Sequence, residues 1–155
     1  TKSVEKSINL NYLIVENESV ILKAKDIFQG DDRIHFLETL PDELTHVEIV
    51  YLNSSLQYIE NYKSFLNRLC KYNSKYILFM RLSAGNIPTY ATLQLNMKGM
   101  QMAYWFINIR EIIDIMDKNN YHLIFNGVLK QEYNQDNFPK EYRIKHTCNL
   151  LFKLN

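Results

Sequence analysis

Glu16, the pair Glu38-Thr39, the run Asn53-Ser54-Ser55 and Arg81 each follow directly on a short apolar run of strand length. A carboxylate in that position accepts two hydroxyl donors at once, which is how nucleoside-binding α/β proteins hold a ribose. Glu16, with Glu18 behind it, is equally placed to stabilise the positive end of a following helix. Spacing alone leaves both readings open. The other reactive residue types form no constellation. His35, His46, His122 and His146 stand apart, with no HExxH spacing and no Ser or Cys in a nucleophile setting. Cys70 and Cys148 have no CxxC and no histidine at ligand spacing, so zinc and a disulfide framework lack support and a reducing cytoplasm is the expected setting. Asp31-Asp32 and Asp42-Glu43 read as solvated turn acids. With 4 glycines and no GxGxxG or P-loop, there is no glycine cradle for a phosphate.

A scaffold must hold those polar ends, and residues 47–82 describe it. Val47, Ile49, Val50 and Leu52 make one apolar run, and Tyr76, Ile77, Leu78 and Phe79 make another. Between them Tyr62, Phe65, Leu66 and Leu69 recur at i, i+3, i+4 and i+7, while Lys63, Asn67, Arg68 and Lys71 face water. Strand, amphipathic helix, strand is a crossover, and it makes its two strands parallel neighbours. Ligands of open parallel sheets bind beyond the carboxyl ends of the strands, which directs attention to Asn53-Ser54-Ser55 and Arg81. A second such unit precedes it: a strand over 10–16, a helix over 18–29 capped by Asn17 or Ser19 and stopped at Gly30, and a strand over 34–37. Residues 1–7 read as the tail of a helix that begins upstream.

Beyond Leu82 no period is sustained. Residues 83–103, with Gly85, Pro88, Gly99 and three methionines (Met97, Met100, Met102), read as a long loop. Its methionines either cover an apolar ligand or pack onto the sheet. Tyr104-Trp105-Phe106-Ile107 either lines a pocket or joins the core. Asn108 caps a helix bearing Ile109, Ile112, Ile113 and Met116; residues 121–129 and 146–154 read as strands, paired antiparallel because no helix lies between them. The 155 residues suit one domain of α/β class. Against 17 acids stand 18 Lys and Arg, so no strong field recruits nucleic acid. No apolar run approaches the roughly 20 residues that cross a bilayer, and no signal peptide opens the chain, so membrane insertion is not expected.

The order LNYLIVE, DDRIHFLETLP, VEIVYLNSSLQYIENYKSFLNRL, KYILF, ATLQ and AYWFINIREIIDIMDKNNYHLIF resembles a family of bacterial S-adenosylmethionine-dependent methyltransferases associated with surface-polysaccharide genes. The likeness runs over most of the chain; SSLQYIENY, the Gln94 segment and the YWF segment carry most of it. It implies a Rossmann-like class I methyltransferase sheet, mostly parallel with an antiparallel last strand and helices on both faces. S-adenosylmethionine is the implied cofactor. Mapped onto this chain, Glu16 would hold the ribose, Glu38 and Thr39 the adenine, and Asn53, Ser54 and Ser55 the methionine part. Tyr58, Arg81, Gln94, Tyr104 and Trp105 would face a small-molecule or saccharide acceptor.

One feature departs from that family: its first strand and glycine-rich turn precede the acid-tipped strand, and this chain starts after that point. The expected whole is therefore a single methyltransferase-like domain, residues 1–155, without that opening segment. Tyr58 and His35 qualify as a general base by chemistry alone. The rival expectation is a non-catalytic methyltransferase-like module that binds a partner protein through its aromatic and Met-rich region. A nucleotide-binding regulator of the same sheet class would need the missing phosphate loop.

Overall fold

The apolar run after Asn11 forms strand β1 (Tyr12–Val15), the opening element of a computed structural model that describes residues 10–97, 99–130 and 133–155. The helix tail expected over residues 1–7 lies outside the described residues. Two units divide the chain, one up to Asp42 and one over Glu43–Asn155.

In the first unit β1 leads into α1 (Glu18–Ile27) and then β2 (Ile34–Leu37), and the two strands pair in parallel with Val15 opposite Leu37. Of the two expected caps, Asn17 performs the role: its Oδ1 accepts from the Val20 N–H at 3.1 Å and from the Ser19 hydroxyl at 2.6 Å. Gly30, at φ +80°, turns the chain after the helix in a conformation that only glycine takes freely. Before β2, Arg33 grips Asp31 with two prongs, Nε at 2.8 Å and Nη2 at 2.7 Å. That grip holds the Asp31 carboxyl down at about 2.

The second unit begins with β3 (Ile49–Asn53), a single 3-10 turn at Leu56–Tyr58, α2 (Tyr62–Cys70) and β4 (Tyr76–Leu82). There follow β5 (Ala84–Gly85), β6 (Tyr90–Met97), β7 (Met100–Asn108), α3 (Ile109–Lys118), β8 (Tyr121–Lys130) and β9 (His146–Leu154). As expected from the helical crossover, β3 and β4 are parallel, with Asn53 opposite Met80. β9 runs antiparallel to both β4 and β8, which gives a sheet of order β3-β4-β9-β8. Leu66, Leu69, Ile77, Phe79, Ile112, Met116, Leu150 and Phe152 are fully buried in this unit and form its core.

One expectation needs correcting. Residues 83–103 are not a loop: β6 and β7 form an antiparallel hairpin, with β5 parallel to β7 on its other edge. The strand signal was masked because apolar residues sit on both faces, and Leu93 and Leu95 stay 62% and 73% exposed. The expected mostly parallel arrangement is met in part: the sheets are mixed, with three parallel and three antiparallel pairings among the described residues.

Outside the sheet, a carboxylate ties the helices together. Glu111 in the first turn of α3 accepts from the Tyr62 hydroxyl of α2 at 2.7 Å, from Thr89 at 2.7 Å and from Lys63 at 2.6 Å. Partial burial alone would raise this carboxyl, but the three donors outweigh it and hold it at about 2. Among the described residues no helix is long and apolar enough to cross a membrane.

Candidate functional site

The polar ends singled out in the sequence do fall at carboxyl ends of parallel strands. In the first unit Glu16 follows β1 and Glu38 follows β2, and the register that sets Val15 opposite Leu37 puts both at one edge. The Glu16 N–H donates to the Leu37 carbonyl at 3.0 Å and so continues the ladder one step. Its exposed carboxylate accepts from the Asn17 N–H at 3.3 Å, immediately before α1. Thr39 is exposed beside Glu38. His35 lies mid-strand on β2, opposite Leu13, and not at this edge.

In the second unit the corner after β3 is tightly specified. Asn53 ends the strand, and Ser54 then turns through φ +52° while its N–H donates to the Met80 carbonyl at 3.0 Å. Ser55 precedes the 3-10 turn, and its carbonyl accepts from the Tyr58 N–H at 3.0 Å. On the neighbouring strand Arg81 takes φ +51° within a bulge where β4 slips against β9 between Phe79 and Leu82. The Asn149 side chain of β9 fills the disturbed ladder, its Oδ1 accepting from the Arg81 N–H at 2.9 Å. Ser54 and Arg81 are thus two non-glycine residues in the left-handed region, each just beyond Asn53 and Met80 on adjacent strands. Such strain persists where the surrounding structure imposes it, and it concentrates at functional sites.

A cluster of hydroxyl groups lies next along the chain from this corner. Tyr58 donates to the Gln94 Oε1 at 3.0 Å, and its ring meets the Tyr104 ring edge-on at 5.2 Å. Tyr104 and Ser83 share a short hydroxyl contact, and Ser83 also meets the Tyr133 hydroxyl at 2.9 Å. Burial raises the Tyr133 phenol well above its ordinary value, so it stays protonated. The structure therefore brings Tyr58, Gln94 and Tyr104 together. Trp105 does not join them, because neighbouring strand residues point to opposite faces; its ring lies 6.2 Å from that of Tyr62 on α2.

Sequence reasoning missed Gln57, Ser83 and Tyr133. Gln57 is 3% exposed, and its amide donates to the Arg81 carbonyl at 3.4 Å while its Oε1 has no partner among the described residues. Its place in the quoted run SSLQYIENY was the available signal. Ser83 could have been noticed as the polar residue directly after a buried strand, whereas nothing local marks Tyr133. The thiols carry no nucleophile: burial pushes Cys70 and Cys148 up to about 11. Among the described residues no three His, Cys, Asp or Glu side chains are grouped to hold a metal ion.

No protein-family model matches this chain, and no curated protein sequence does. Solved structures do. One from Listeria monocytogenes, described as an S-adenosylmethionine-dependent methyltransferase, superposes with a TM-score of 0.64 at 12% identity, over 94% of this chain and 80% of that one. An S-adenosylmethionine-dependent methyltransferase of Methanosarcina mazei gives 0.64 at 7% identity, over 92% and 80%. The magnesium protoporphyrin IX methyltransferase of Synechocystis, solved with bound S-adenosylmethionine, gives 0.54 at 10% identity, over 87% and 52%. At those identities the likeness speaks to architecture, and the chain has the mixed α/β fold of S-adenosylmethionine-dependent methyltransferases.

Proposed function

We propose that this chain is an S-adenosylmethionine-dependent methyltransferase acting on an oxygen or nitrogen of a small molecule or sugar-linked precursor. The observation that carries the reading is the strained pair Ser54 and Arg81 at adjacent strand ends, in a chain with the fold of such enzymes. The donor and acceptor set suits the cofactor. Among the described residues the Glu16 carboxylate takes only the Asn17 N–H, so it keeps acceptor capacity for two ribose hydroxyls. Glu38 and Thr39 would receive the adenine. Asn53, Ser54 and Ser55 would hold the methionine part.

When bound, S-adenosylmethionine supplies a methyl group on a sulfonium, electrophilic enough for direct transfer. The contribution of the protein is then mainly alignment, with the acceptor atom held in line with the methyl group. Tyr58, Gln94 and Tyr104 would line the acceptor side, with Arg81 and Trp105 as outer members. The Tyr58 hydroxyl donates to Gln94 Oε1 at 3.0 Å, which orients the phenol beside Tyr104. An amine acceptor needs no base, and a hydroxyl acceptor gains from one.

The finer architecture belongs to the same proposal: one domain with a mostly parallel Rossmann-like sheet and helices on both faces. In support, β1 pairs in parallel with β2 in one unit, and β3 pairs in parallel with β4 in the other. A bacterial cytoplasm and surface-polysaccharide synthesis are the setting that the sequence resemblance implies.

Titration calorimetry with S-adenosylhomocysteine tests the reading. Glu16→Ala should weaken binding by about 1.5–3 kcal/mol, the worth of a hydrogen bond to a charged group. Unchanged affinity would remove Glu16 from the ribose role. If neither this chain nor a version extended upstream binds at all, the non-catalytic interaction module takes its place.

A further inference from the structure

We propose that two copies of this chain pair through the outer edge of β6, antiparallel about a twofold axis at Leu93. The pairing does not depend on the methyltransferase reading. Its consequence for the acceptor side does.

In the sheet of order β5-β7-β6, the partner of β6 among the described residues is β7, and the register from Tyr90 opposite Phe106 to Leu95 opposite Gln101 runs without a shift. The backbone groups that point away from β7 therefore form a regular row, the arrangement that templates a further strand. Edges of this kind are ordinarily blunted by charge, proline or a bulge. Residues 90–97, YATLQLNM, contain no charged residue and no proline. Their side chains follow the strand period: Ala91, Leu93 and Leu95 are exposed, the two leucines to 62% and 73%, while Tyr90, Thr92 and Gln94 are half-buried on the other face. β8, an edge strand of the same unit, also exposes apolar side chains. Its register against β9 shifts between Leu123 and Phe125, however, and the Phe125 ring lies so close over Gly127 that an added Cβ would meet it at 2.7 Å. A bulge and a covered glycine interrupt that edge.

Symmetry and charge select the occupant of this edge. Two identical strands paired antiparallel about a twofold axis set each residue opposite the one mirrored about that axis. Side-chain alternation admits only registers that keep odd positions with odd and even with even. With the axis at Leu93, that residue meets Leu93 of the partner subunit, and Leu95 meets Ala91 of the partner subunit, large against small on the exposed face. A charged side chain near the axis would face its like, and this strand has none. A partner of different sequence is ordinarily selected by complementary charge, for which β6 offers no handle. Each copy brings one such edge, so the pairing closes at two.

On the other face the same register sets Thr92 of the partner subunit opposite Gln94, whose Oε1 accepts from the Tyr58 hydroxyl at 3.0 Å. The second copy thus adds a hydroxyl next to a member of the acceptor side.

Sedimentation velocity of the full chain over a dilution series tests the pairing. The expected result is a monomer–dimer equilibrium with no larger species. Leu93→Lys sets two ammonium groups face to face across the axis and should weaken the dimer by about tenfold or more. Its circular dichroism should stay that of the parent, because the position is exposed. Val128→Lys, at an exposed position on β8, should leave the dimer as it is. Under mild oxidation Leu93→Cys should give a disulfide-linked dimer and Val128→Cys should not, while the native Cys70 and Cys148 are buried out of reach. A chain that stays monomeric throughout, open-ended aggregates in place of a dimer, or a dimer that survives Leu93→Lys would overturn the pairing. None of these readouts involves S-adenosylhomocysteine, so the pairing and the methyltransferase reading fail independently.

Discussion

Ser54 and Arg81 hold backbone conformations that glycine would adopt without strain, yet the chain spends a serine and an arginine there. The left-handed residues Asn73 and Asn120 differ, because each lies just past the end of a helix, where asparagine is an ordinary occupant. Left-handed geometry costs a side chain about 1–2 kcal/mol, and glycine returns part of that through its larger loss of entropy. Ser54→Gly is therefore expected to raise stability by about 0.5–1 kcal/mol in urea denaturation while lowering affinity for S-adenosylhomocysteine. A variant that loses stability would show that the hydroxyl supports the corner structurally. At this scale the sequence was informative about which polar residues end the strands. It was silent about their φ angles, because a serine after a strand looks the same whether it turns left-handed or continues extended.

At the level of elements, α1, α2 and α3 were legible because each repeats its apolar residues at the helical period and is followed by Gly or Asn, and β2 and β9 because each is a short, largely apolar run. The β6–β7 hairpin was not, since its apolar residues occupy both faces and Gly99, at φ +85°, makes the turn in a stretch already rich in breaker signals. That hairpin separates Tyr104 from Trp105, and Trp105 faces Tyr62 instead of the tyrosine cluster. Trp105→Ala should accordingly cost about 2–3 kcal/mol of stability, a partly buried aromatic truncation. Full stability with impaired methyl transfer would show that Trp105 serves the acceptor side and not the packing against α2. The Glu111 linkage makes a second prediction for the same elements. Its carboxyl lies at about 2 against an ordinary 4.5, so the stability it contributes is complete above pH 4.5 and is lost as pH falls from there towards 2. Lys63 is 59% exposed and screened by water, which limits the contribution to about 1 kcal/mol. Glu111→Gln should flatten the acid limb of the stability profile, and an unchanged limb would assign acid sensitivity elsewhere.

Across the whole molecule, burial is unevenly divided. Up to Asp42, Ile21 is the one buried apolar side chain among the described residues, and a two-stranded sheet with a single helix has little with which to oppose chain entropy. Glu43–Asn155 by contrast buries Phe79, Ile112, Leu150 and Phe152 around a four-stranded sheet. The sequence could not announce this imbalance, because β1 and β2 carry the same kind of apolar run as β4, and burial depends on what each run finds to pack against. Local opening is governed by such differences, so the amides of β1 and β2 should exchange with solvent well before those of β4 and β9. A ligand that binds only the closed form slows that opening in proportion to its occupancy. If Glu16 and Glu38 hold S-adenosylhomocysteine, saturating ligand should protect β1 and β2 far more than β9, whose opening already needs loss of the main core. Native-state hydrogen exchange with and without the ligand reads both quantities together. Equal protection of all four strands in the free chain would overturn the uneven division, and protection gained only at β3 and β4 would move the cofactor contacts to Asn53, Ser54 and Ser55 alone.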